Sequence, residues 1–89
     1  MPVDSFSSFV DSPMAPASRC FAIVPSDAAE LSEVTKALYV GSAGDVVLRA
    51  VEATVDVTFR NVPAGSTLDV RVRAVRAAGT TAADIVGLA

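Results

Sequence analysis

Few residues in this chain have types that could do covalent or acid–base chemistry. There is no histidine, and Cys20 is the single cysteine. Proton transfer or nucleophilic attack would fall to carboxylates, serines or Cys20, with no imidazole to help. No nucleophile–base pair stands out, because serine and aspartate gather where turns favour them. One cysteine makes neither an intrachain disulfide nor a structural zinc site. Asp27, Glu30 and Glu33 are close in sequence but lack the glycine-punctuated spacing of a calcium loop. Capping and solubility explain them better, since Asp27 and Glu30 have the spacing of a helix capping box. Gly41-Ser42-Ala43-Gly44-Asp45 weakly matches a phosphate-cradling loop. It lacks that loop's lysine and following Ser/Thr, and no helical pattern follows. The residues therefore point away from an enzyme, and from any cofactor or metal.

The totals narrow the alternatives. With a net charge of −3, the chain has no overall basic footprint for nucleic acid. Arg71, Arg73 and Arg76 make a local basic stripe, which reads as a solvated strand face. No run of about 18 apolar residues occurs, so no membrane-spanning helix is expected. The first residues lack the basic and apolar regions of a secretion signal, so synthesis in the cytoplasm is expected. At 89 residues the chain is a single domain, of a size that buries a limited share of its surface. Yet 52% of its residues are apolar and 19% charged, which favours self-association, although much of that apolar content is alanine. A glycan-binding β module is the alternative. It is poorly served by a chain without tryptophan whose Tyr39 sits in an apolar run.

The elements that would position these residues are strands. Val55, Val57 and Phe59 alternate with polar residues, and so do Val70 and Val72. Pro63, Ala64 and Gly65 lie between the two runs and have turn chemistry. The pattern predicts a β-hairpin over residues 55–75, with Val57, Phe59, Val70 and Val72 inward. Residues 20–24 read as a short apolar strand, buried on both faces or at a subunit contact, with Cys20 a buried packing residue. Residues 26–34 read equally as a short helix or an ordered loop. Residues 36–51 read as a second hairpin around Gly41 and Gly44. A slip in the alternation near Ala74 calls for a bulge or bend. Gly79-Thr80-Thr81 turns into a last strand over 85–88. The fold class expected is all-β: a small antiparallel sandwich or barrel of about six short strands with an irregular N-terminal arm.

That arm, residues 1–18, precedes the β domain of residues 19–89. Pro2, Pro13 and Pro16 exclude a regular helix or central strand there. Phe6, Phe9, Val10 and Met14 are nonetheless too apolar for a solvated tail. The arm reads either as a loose terminus or as a segment that orders on a neighbouring protein.

Three segments, 21–31, 35–47 and 62–88, together resemble the small spike base proteins of gene transfer agents and related tailed phages of alphaproteobacteria. The similarity rests on Ala37-Leu38-Tyr39-Val40-Gly41 with Gly44-Asp45, and on Val62-Pro63-Ala64-Gly65 with Gly79-Thr80-Thr81. It covers residues 19–88 and leaves out the arm. The resemblance implies a structural virion protein at the fivefold vertices of a capsid, on the surface of a phage-like particle. It implies a homopentamer that joins the major capsid protein to a separate spike or fibre protein, with no enzymatic activity. The arm residues Phe6, Phe9, Val10 and Met14 are then expected to attach the ring to the shell. Gly41, Gly44, Pro63, Gly65 and Gly79 are expected to serve as structural turns.

Overall fold

The computed structural model describes residues 16–89. They form seven strands: β1 Cys20–Ala22, β2 Ala37–Ser42, β3 Gly44–Ala50, β4 Val57–Val62, β5 Ser66–Leu68, β6 Val72–Val75 and β7 Ala83–Leu88. A four-stranded sheet has the order β1-β7-β2-β5, and a three-stranded sheet the order β4-β3-β6. Every neighbouring pair is antiparallel. The expected all-β architecture is therefore present as two packed sheets.

The core lies between the sheets. Leu38 and Val40 from β2 meet Val46 and Leu48 from β3, Val72 and Val75 from β6, and Ile85 from β7. Phe21, Leu31, Phe59, Leu68 and Val70 close its margins. Thr35 is fully buried and pairs with Val72 in both directions, its N–H donating to the Val72 carbonyl and its Oγ1 accepting from the Val72 N–H. A buried hydroxyl is tolerated because it has a partner.

Neither expected hairpin forms. β2 pairs with β5 and β7, whereas β3 pairs with β4 and β6, so the bend at Ala43 carries the chain from one sheet to the other. Gly41 accordingly lies within β2 rather than in the turn. Residues 55–75 give three strands instead of two. β4 lies in the three-stranded sheet, β5 in the four-stranded one, and β6 returns to the first. The break falls at residues 69–71, where the Val70 N–H turns back to the Leu68 carbonyl. Alternation persists through each crossing because both sheets bury the same core. Val72 is fully buried, while Phe59 and Val70 pack at the core's margin. Val57 stands opposite Leu48, but at 50% exposure it is a rim residue of an edge strand, not a core residue.

The expected bulge is present: Ala74 pairs with Arg49 and Val72 with Ala50, which leaves Arg73 as the extra residue. Cys20 is exposed, contrary to the expectation of burial. Phe21 takes the inward position on edge strand β1, so Cys20 and Ala22 turn outward. Residues 26–34 form a loop, not a helix. Ser26, rather than Asp27, caps its start, with Oγ accepting from the Ala28 and Ala29 N–H groups. The Ser26, Leu31 and Thr35 N–H groups then donate to Val75, Arg73 and Val72, so this loop covers the free edge of β6.

Candidate functional site

Most carboxylates of the described residues are engaged in holding the fold. Asp27 Oδ1 accepts from the Ala77 and Ala78 N–H groups at 3.1 and 3.0 Å, pinning the turn before Gly79. Glu30 pairs with Arg73, and Glu33 with Arg19 at 2.6 Å. Asp45 accepts from the Asn61 N–H at 2.9 Å, where Arg60 and Asn61 bulge against it. Asp56 sits between Arg49 at 2.9 Å and Arg76 at 3.3 Å. Desolvation raises the Asp56 pKa, but the hydrogen bond from Arg76 and the charges of both arginines outweigh it and hold the carboxyl below its ordinary value. The three residues of the expected basic stripe are thereby separated: Arg73 binds Glu30 and the Ala53 carbonyl, Arg76 binds Asp56, and Arg71 is exposed. No group of three or more His, Cys, Asp or Glu among the described residues could hold a metal ion.

Gly44, Pro63, Gly65 and Gly79 lie where the chain passes between sheets, whereas Gly41 packs against Asp84 of its own sheet. A Cβ on Gly44 would stand 2.5 Å from the Ala82 nitrogen, and one on Gly41 would stand 2.9 Å from the Asp84 carbonyl oxygen. Thr80 and Thr81 accept from the Val47 and Asp45 N–H groups at 2.9 and 2.8 Å. Gly41, Gly44-Asp45 and Gly79-Thr80-Thr81, far apart in sequence, thus meet at one end of the sandwich. Gly79 turns there with φ 87°. Pro63 opens the other turn, in which Gly65 has φ 80° and donates to the Val40 carbonyl. Left-handed backbone of this kind suits glycine. The arm residues Phe6, Phe9, Val10 and Met14 lie outside the described residues.

The surface offers three places for a neighbouring protein. The outer face of the four-stranded sheet is built from two cross-strand rows, Cys20–Leu88–Ala37 and Ala22–Val86–Tyr39–Thr67. Within these two rows Thr67 and the tip of Tyr39 supply the polar groups, and Asp84 follows at the end of the face. A cleft of about 210 Å³ lies beside β1, lined chiefly by Phe21, Ile23, Val24, Leu31 and Val75. Val55 and Val57, exposed at 62% and 50%, flank the open edge of β4. The sequence points to the second of these alone, through residues 20–24 as a strand at a subunit contact, because alternation says which residues share a face but not which face is left without polar cover.

Fold and surface together define a small β-sandwich with apolar side chains exposed on its surface. No protein-family model and no curated protein matches the chain. A chain in a solved structure, described as the capsid of a native GTA (gene transfer agent) particle computed with C5 symmetry, superposes with a TM-score of 0.86. The two are 39% identical, and the match covers 98% of this chain and 100% of that one. The chain belongs to the family of that capsid component and is a structural virion protein.

Proposed function

We propose that this protein forms the oligomeric base of a head spike at capsid vertices, a homopentamer joining the major capsid protein to a separate spike or fibre protein. The observation that carries this reading is the full-length, 39% identical relative within a capsid computed with C5 symmetry. A fivefold axis is where five copies of a small protein close into a ring through head-to-tail contacts. Exposed apolar patches on a chain this small agree with a life in contact with neighbours.

Residues 1–18 attach the ring to the shell through Phe6, Phe9, Val10 and Met14. Eighteen residues reach roughly 50–60 Å when extended, at about 3.3 Å each, which is ample to cross to another protein. Repetition around a ring raises the effective concentration of each arm, so no single arm need bind tightly. Deletion of residues 1–17 tests the assignment. The truncated protein should form its ring, seen by native mass measurement, yet fail to join spike-free particles. Decoration as complete as that by the full chain moves attachment to the β domain. A trimer in the assembled particle would replace the vertex base by a fibre.

A further inference from the structure

The sandwich has two unlike sides. On one side lie the edge strands β1 and β6, bridged by the loop that follows β1. The cleft opens there, with Val24 on its rim at 81% exposure. On the opposite side lie β4 and β5, joined only through Pro63-Ala64-Gly65. β1 and β5 are three residues long, and the free edge of β6 is covered by the loop. β4 has six residues, an edge that no other described strand or loop pairs with, and exposed Val55 and Val57 beside it. Natural proteins rarely leave such an edge bare, because its free N–H and C=O groups invite another chain.

We propose that these two sides meet between copies: the β4 edge of one subunit, led by Val57, seats in the cleft beside β1 of the next. The proposal rests on the ring reading above and names the surfaces that close the ring. A cyclic assembly needs two different, complementary patches on well-separated parts of each subunit, and this chain carries one of each kind. The cleft, about 210 Å³, is smaller than the roughly 300–1,000 Å³ typical of small-molecule pockets. Its walls are mostly aliphatic and aromatic, which suits inserted valine side chains. Charge is compatible with the pairing: the loop bordering the cleft carries Asp27, Glu30 and Glu33, each already bonded within its own subunit, and β4 carries Arg60, which pairs with Asp45 yet keeps its side chain 73% exposed.

Two single substitutions test the contact, Val57→Asp on the edge and Val24→Asp on the cleft rim. Each removes one half of the contact and leaves the other half native. Sedimentation velocity should show each variant alone as a monomer, with association weakened at least about 30-fold. Mixed in equal amounts, the two should form a 1:1 heterodimer and nothing larger, because one good edge meets one good cleft. Val55→Asp repeats the edge test should Val57→Asp alter the melting curve. A ring that survives both substitutions overturns the contact while leaving the ring reading in place. Monomeric variants that fail to pair on mixing also overturn it, since the contact would not be head-to-tail. A full-length chain that stays monomeric at high concentration overturns ring and contact together.

Discussion

The two outer faces of the sandwich are built from opposite chemistry. On the three-stranded sheet, Arg49 and Arg76 converge on Asp56, and Ala74 is fully buried although its register places it beside Arg49 on the outward side. Thr80 and the turn at Gly79 come down on Val47 of the same sheet. The outer face of the four-stranded sheet carries no charged side chain in its two central rows, Cys20–Leu88–Ala37 and Ala22–Val86–Tyr39–Thr67. Asp84, bonded to Ser42, appears only at its end. Antiparallel sheets commonly keep one face on the core and one in water, and the three-stranded sheet follows that pattern. The four-stranded sheet has apolar residues on both faces. Among the described residues, one side is thus finished by its own charges, and the other shows half-buried and exposed apolar side chains.

Substitutions on either side of one strand should report the contrast directly. The largest effect is expected for Leu38→Ala, on the core side of β2, at about 2–5 kcal/mol by denaturant unfolding. That is a large share of a small domain's stability of about 5–15 kcal/mol. Phe59→Ala, at the margin of the core on an edge strand, should cost less than Leu38→Ala. Equal losses would mean that β4 is more deeply covered than its exposure indicates.

Asp56→Asn should have a smaller effect, and one that depends on pH. The folded pKa of Asp56 lies below its ordinary value of 3.8, so its charge stabilises the fold above that pH. The contribution is lost as pH falls through the lower folded value. Wild type and variant should therefore differ most near neutral pH and converge in acid below about pH 3.8. High salt should also narrow the gap, since the screening length falls to about 3 Å at 1 M. A difference unchanged by both acid and salt would remove the ionic account of this face.

The smallest effect on stability is expected for Tyr39→Ala, one residue from Leu38 but outward. In the isolated chain it should stay within about 0.5 kcal/mol of wild type. On the same face, a thiol reagent should label Cys20 in the native isolated chain without prior unfolding. Slow labelling there would mean that the face is already covered.

How much of this was legible in the sequence differs from residue to residue. Val72 is legible from alternation, and Gly65 and Gly79 from turn chemistry, because side-chain direction and φ are local properties. The slip near Ala74 located the bulge for the same reason. Which sheet each strand joins is not local. β2 and β3 looked like a hairpin, and β4 like the partner of the next run, because a strand keeps its apolar side toward the common core whichever sheet it enters. Only tertiary structure decided that Ala43 and residues 69–71 are crossings, that Phe21 rather than Cys20 points inward, and that Asp27 pins a turn fifty residues away. Packing, likewise, placed β4 at the edge of its sheet and gave the four-stranded sheet an apolar outer face. Local pattern fixes the direction of each side chain, but the partner it meets depends on contacts made across the whole chain.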